Sequence, residues 1–256
     1  MPMNIENIRI PSTKGELSAS IHHPERETDR LAVLCPGFLD SKDYRHLVAL
    51  ADRLSAVGFA VVRFDPIGVW ESSGNISDYT MTQYLEDIRS VLEYMLRHGT
   101  YRQVLLGGHS RGGQMSILYA ARDERITYVF GIMPSYGPIT GARREKWEQA
   151  DECVKIRDLP GDGNGKVEYH VPFSHVLDRD QYDVIEDLKK IHVPILLFSG
   201  GQDDIVLSQI VKDIHDAANE PKCYVEIPEA RHDYRFDEPV VNKVNDVILE
   251  RLKRYL

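Results

Sequence analysis

Residues 108–112 read Gly-His-Ser-Arg-Gly, and the hydroxyl of Ser110 is the group in this chain best suited to act as a nucleophile. A hydroxyl attacks a carbonyl when a base takes its proton and a tight turn presents it; Gly108 and Gly112 remove the side chains that would collide there. The apolar run Val104-Leu105-Leu106 precedes the turn and a helical pattern opens at Arg111, so the turn joins a strand to a helix. At such a junction free helix N–H groups face any oxyanion that forms, which makes the Arg111 amide one donor. Pro36-Gly37-Phe38 follows another apolar run and offers the Phe38 amide as a second.

Ten histidines compete for the role of base. His232 stands in the loop between the apolar segment 223–227 and the last helical pattern, which puts it at the same sheet edge as Ser110. His109 adjoins Ser110, but successive residues of an extended chain point to opposite sides, so it is expected to be a packed ring facing away from the nucleophile. His22, His23, His46, His98, His170, His175, His192 and His215 fall on early strands, helices or a polar segment and are read as solvated or packed. An imidazole base needs an anion to fix its tautomer, and Asp203 or Asp204, beyond the apolar run 193–198, can supply it. The alternative is that these aspartates only cap the helix beginning near Ser208. The chain order is then Ser, Asp, His.

These residues must be held at strand ends. Uninterrupted apolar runs at 31–35, 59–64, 104–106, 128–133 and 193–198 suit strands buried on both faces. Between them, helical spacing is clear at 47–57, closed by Gly58, and again at 81–97, 111–122, 181–190, 208–218 and 239–256. This alternation predicts parallel βαβ units. The first thirty residues alternate polar and apolar around Lys14-Gly15, an antiparallel hairpin at the sheet edge. Residues 135–180 break the pattern, with many charges, three prolines and no buried run, and read as an insertion on a core made of 1–134 and 181–256. Val154 and Ile156, then Val167, Tyr169 and Val171, alternate around a Pro160–Gly165 turn and predict a small hairpin.

Composition narrows the function. At 256 residues the chain is one sizeable domain, and its net charge of −9 works against binding nucleic acid. Three scattered cysteines suggest reduced thiols and neither disulfides nor a zinc cluster. No run is long and apolar enough for a membrane span, and the first residues lack a secretory pattern, so a cytoplasmic protein is expected. Metal binding has no motif behind it: there is no HExxH, and His170 and His175 are five apart. Residues 162–166 lack both the EF-hand glutamate and the P-loop spacing, and read as a turn.

Taken together, the segments 36–38, 63–68, 72–74, 108–113 and 200–206 with His232 resemble α/β-hydrolases, in particular the small cinnamoyl and feruloyl esterase branch and the serine aminopeptidase-like hydrolases. That resemblance implies a mostly parallel sheet flanked by helices with a small cap, and it implies Asp203 as the acid, three residues after Gly200 and three before Val206. Many relatives have His in place of Cys35, Gly in place of Trp70, and Gln or Met in place of Arg111. The first two departures imply an altered pocket entrance. The third puts a guanidinium near Ser110, expected as a surface or ion-paired arginine, the alternative being that it steers an anionic substrate.

The resulting expectation is a serine hydrolase of carboxylic esters working without a cofactor. Ser110 attacks, His232 oriented by Asp203 takes the proton, and the Phe38 and Arg111 amides hold the oxyanion. The insertion is expected to form a lid over a small-molecule ester, with Tyr136, Trp147, Tyr169 and Phe173 as candidate pocket walls. Two rivals stand beside it: an aminopeptidase or acyl-peptide hydrolase with the same triad, anchored by Glu145, Glu148, Asp151 or Glu152, and a binding module that lost catalysis. Homo-oligomerisation stays open.

Overall fold

The computed structural model describes residues 4–161 and 165–255. In chain order the elements are β1 (Asn4–Ser12), β2 (Gly15–His23), β3 (Arg30–Cys35), α1 (Arg45–Ala56), β4 (Ala60–Phe64), α2 (Met81–His98), β5 (Gln103–His109), α3 (Arg111–Ala120) and β6 (Tyr128–Ile132). There follow α4 (Gly141–Ala150), β7 (Glu152–Asp158), β8 (Lys166–Pro172), α5 (Ser174–Arg179), α6 (Val184–Leu188), β9 (Ile195–Gly200), α7 (Ser208–Ala217), β10 (Lys222–Ile227) and α8 (Glu238–Leu252).

Eight strands form one sheet in the order β1-β2-β4-β3-β5-β6-β9-β10. The β1–β2 hairpin joins β4 antiparallel, and from β4 to β10 every pairing is parallel. This is the α/β-hydrolase fold with its antiparallel N-terminal hairpin. The central strands are apolar throughout because both faces are covered: Leu31, Val33 and Cys35 of β3 pack toward α2, α3 and α7, while Ala32 and Leu34 pack toward α1 and α8. Parallel pairing also sets the ends level. Cys35 pairs with Gly108, His109 with Ile132, Ile132 with Phe198, and Gly200 with Ile227, so the loops that follow β3, β5, β9 and β10 emerge along one edge.

Residues 135–180 fold as α4, the antiparallel β7–β8 pair and α5. The residues 162–164 of the expected turn lie outside the described ones. Helix α4 carries no apolar period because Trp147 is its single buried residue, so the sequence pattern missed it. Its indole N–H donates to the Val171 carbonyl and ties it to β8. Helix α6 is shorter than the 181–190 pattern because Asp183 caps it, its carboxylate accepting from the Ile185 and Glu186 amides.

Asp87 pins the near end of this architecture. From α2 it accepts the Ser12 hydroxyl, the Gln83 amide and the Ile67 backbone N–H at 2.8, 2.8 and 2.9 Å, joining β1, α2 and the loop after β4. Burial pushes its carboxyl up to about 6. The folded state therefore holds a proton there at pH values where the unfolded chain has released it, and stability gained through Asp87 grows as pH falls from 7.5 to 5. Chemical denaturation at both pH values should show wild type gaining about 1 kcal/mol more on acidification than Asp87→Asn; an equal change in both proteins would contradict this.

Candidate active site

Ser110 follows β5 at φ 52° and ψ −115°, a conformation few L-residues adopt, and it lines a cavity of about 830 Å³. The glycines around it are required by β3. A Cβ on Gly108 would lie 2.0 Å from the Cys35 carbonyl oxygen and one on Gly112 would lie 1.9 Å from the same atom. The turn therefore closes only where both positions lack a side chain.

His232 and Asp203 meet Ser110 from the neighbouring strand ends. Asp203 Oδ2 lies 2.8 Å from His232 Nδ1, and His232 Nε2 lies 3.0 Å from Ser110 Oγ. Burial pushes the Asp203 carboxyl up, but the His232 ring and the amides of Val206 and Ile205 outweigh it and hold it below the usual carboxylate range. An ionised Asp203 makes Nδ1 the protonated nitrogen, which leaves Nε2 bare to accept the Ser110 hydroxyl. Asp204, the alternative acid, is exposed at the pocket rim. The loops are fastened to each other by Gly201 N–H to Ile227 O at 2.9 Å and Gln202 N–H to Ala230 O at 3.0 Å. Asp203 does not cap α7, whose N-cap is Leu207; its Oδ1 accepts the Ile205 and Val206 amides of the loop before it.

The Phe38 and Arg111 amides have no acceptor among the described residues. Phe38 stands in the loop after β3 and Arg111 at the start of α3, and both line the same cavity as Ser110. The Phe38 loop is held by the Leu39 amide donating to the Tyr79 hydroxyl and by Arg157 donating to the Phe38 carbonyl.

Several expectations are corrected. Arg111 is buried and, among the described residues, has no ion pair: it is 4% exposed, with its guanidinium carbon 4.5 Å above the Phe38 ring and Nη1 2.5 Å from His175 Nε2. His175 Nδ1 donates to the Tyr79 carbonyl, so Nε2 accepts from Arg111 and the ring is neutral. Cys35 and Trp70 do not shape the pocket entrance. Cys35 is fully buried under the turn, its thiol pushed up to about 12 by burial, while the Trp70 indole donates to the Leu39 carbonyl and packs against Tyr169. Of the four aromatic wall candidates, Tyr136 lines the cavity; Trp147, Tyr169 and Phe173 are packed elsewhere.

His109 is packed as expected, yet its ring lies 4.8 Å from the His232 ring and also meets His46 and Tyr234. Asp40, His46 and His109 bring potential ligand atoms within 4.8 Å of one another, and among the described residues this is the group that could hold a metal ion. Burial drives both imidazoles toward the neutral form, His46 down to about 3. Sequence reading passed over His46, although it falls on the face of α1 shared by Leu50 and Leu54. Arg179 on α5 was also missed, since nothing in a short polar helix marks which side meets a cavity.

Among the described residues no helix is long and apolar enough to cross a membrane. The family model for the alpha/beta hydrolase fold matches residues 32–153. A mitochondrial palmitoyl-protein thioesterase of Rattus norvegicus is 25% identical over 68% of this chain, and the match spans 59% of that relative's length. An uncharacterised 31.7 kDa protein of Escherichia coli, from the traX-finO intergenic region, is 24% identical over 93% of both chains. The solved structure of Est1E from Butyrivibrio proteoclasticus with ferulic acid bound superposes with a TM-score of 0.75 at 23% identity, covering 96% of this chain and 99% of that one. By the partial family match and the whole-chain architecture together, this chain has the α/β-hydrolase fold.

Proposed function

We propose that the protein is a serine hydrolase that cleaves carboxylic esters through an acyl-enzyme. The observation that carries this reading is the continuous path Asp203 Oδ2, His232 Nδ1, His232 Nε2, Ser110 Oγ, with links of 2.8 and 3.0 Å. Ser110 Oγ adds to the ester carbonyl as its proton passes to His232 Nε2, and the carbonyl oxygen takes up negative charge between the Phe38 and Arg111 amides. Collapse of that adduct breaks the bond to the alcohol oxygen, which receives the proton from His232. Water then repeats the sequence on the acyl-serine: His232 takes its proton, the hydroxyl adds to the carbonyl, and the acid leaves as Ser110 regains its hydrogen. The chemistry needs no cofactor. Est1E, similar in fold, was solved with ferulic acid bound, and the rat relative is a palmitoyl-protein thioesterase, which supports an acyl substrate here.

In this reading residues 135–180 act as a lid that sets substrate size, supported by the contribution of Tyr136, Ile139 and Lys155 to the cavity wall. The anchors expected for the aminopeptidase alternative do not line the cavity. Glu145, Glu148, Asp151 and Glu152 are exposed and absent from the cavity wall, so none is placed to anchor a substrate ammonium.

Replacing Ser110 or His232 by Ala should lower kcat on 4-nitrophenyl acyl esters by a factor on the order of 10⁶, with Asp203→Asn somewhat milder and Asp204→Asn close to wild type. A damaging Asp204→Asn beside a silent Asp203→Asn would reassign the acid. Labelling by a fluorophosphonate should occur in wild type and vanish in Ser110→Ala, separating an enzyme from a binding module.

The pH profile has a defined sign. A protonated imidazole cannot accept the Ser110 proton, so kcat/KM should fall as the medium becomes acidic. Because Asp203 is held below the ordinary range it stays ionised throughout, and the acid limb should follow a single proton with unit slope on a logarithmic plot. A flat profile down to pH 5 would exclude a histidine base.

A further inference from the structure

The cavity wall is basic although the chain is acidic. Arg111, Arg143, Lys155, Arg157, Arg179, Arg231 and Arg235 line it against Asp40, Asp204 and Asp233, in a protein of net charge −9. Two of these arginines are removed from water, Arg111 at 4% and Arg179 at 8% exposure. Among the described residues neither has a carboxylate within ion-pair distance. Arg111 hydrogen-bonds a neutral imidazole, and Arg179 Nε donates to the Gly137 carbonyl at 2.9 Å. The buried Arg111 Nε has no hydrogen-bond partner. Burial, then the fields of Arg111 and Arg143, bring the Arg179 guanidinium down to about 9. Asp178 and Asp180 offset part of this charge from beyond ion-pair distance, but buried cations that repel one another without a paired carboxylate are costly to keep, and the cost is recovered when an anion binds.

The β7–β8 hairpin points the same way. Val154 and Ile156 face solvent at 46% and 55% exposure, while Lys155 and Arg157, one residue out of step, line the cavity. A shift of one residue would bury the apolar pair and expose the charges, so the register held here favours cationic lining over hydrophobic burial.

We propose that Arg111, Arg143 and Arg179 form a receptor for an anionic oxygen group, a carboxylate or phosphate, carried by the substrate itself, so that the natural substrate is a charged ester. This deepens, and rests on, the hydrolase reading. Arg111 follows the nucleophile directly, which sets the anion close to the scissile bond, and planar guanidinium forks match the two oxygens of such a group.

Two matched pairs of esters test it: mono-4-nitrophenyl adipate against 4-nitrophenyl hexanoate, for charge on the acyl side, and 4-carboxyphenyl hexanoate against phenyl hexanoate, for charge on the alcohol side. At least one pair should favour the charged member by about tenfold or more in kcat/KM. That ratio should fall toward one in Arg179→Gln and Arg143→Gln, recover in Arg179→Lys, and shrink with added salt. Turnover without preference in both pairs, or a preference untouched by these substitutions, overturns the anion receptor and leaves the hydrolase reading standing. If no ester is turned over in a Ser110-dependent way, the hydrolase reading fails instead. Calorimetry then decides the receptor by titrating adipate and inorganic phosphate into Ser110→Ala protein: saturable binding that Arg179→Gln abolishes supports it, and no binding overturns it. The tighter of the two ligands identifies the anionic group.

Discussion

The approach of the Cys35 carbonyl to the turn after β5 is the constraint on which the site depends. Pairing of β3 with β5 brings this oxygen into space that a side chain at 108 or 112 would occupy. With both positions glycine, the chain turns at once from strand into helix and Ser110 is held at positive φ, clear of the sheet edge. The same contact sets the start of α3 against the Cys35-Pro36 backbone, so one interaction holds the nucleophile turn against the end of β3. The strain at Ser110 persists because the surrounding sheet over-determines it: its N–H donates to Ile132 O, and its carbonyl accepts from the amides of Gln114 and Ser135.

A second constraint is the levelling of strand ends by parallel pairing. Residues 93 apart, Ser110 and Asp203, are brought to the same imidazole because β5, β6, β9 and β10 finish together. Gly200 completes the arrangement, since a Cβ there would lie 2.4 Å from the Ala230 carbonyl oxygen. The acid loop and the base loop can then share backbone hydrogen bonds, and the Asp203–His232 pair inherits their rigidity.

Around this neutral-to-anionic core the protein gathers positive charge. Arg111 lies over Phe38 and against His175, which in turn stacks on Tyr79 and Trp147. Trp147, expected as a pocket wall, instead backs the guanidinium through His175. Arg235, by contrast, is neutralised by a two-pronged pair with Asp158 and serves to fix the hairpin to the loop that carries His232. Basic residues of one cavity thus have different work, separated by whether a carboxylate answers them.

The strand runs, their alternation with helices and the Gly-x-Ser-x-Gly turn were legible from sequence because each depends on neighbours along the chain: apolar runs need two covered faces, and a tight turn needs glycine. His232 was legible by its place after a strand, whereas Asp203 and Asp204 are adjacent and chemically alike, and only the direction each side chain takes in the folded loop separates them. Helix α4 escaped notice because a helix that buries one residue in ten has no period to read. The burial of Arg111, the outward turn of Val154 and Ile156, and the clustering of Asp40, His46 and His109 were decided by tertiary structure alone. Local sequence sets backbone preference, but the surroundings of a charge depend on elements far away in the chain, and those meet only when the sheet has formed.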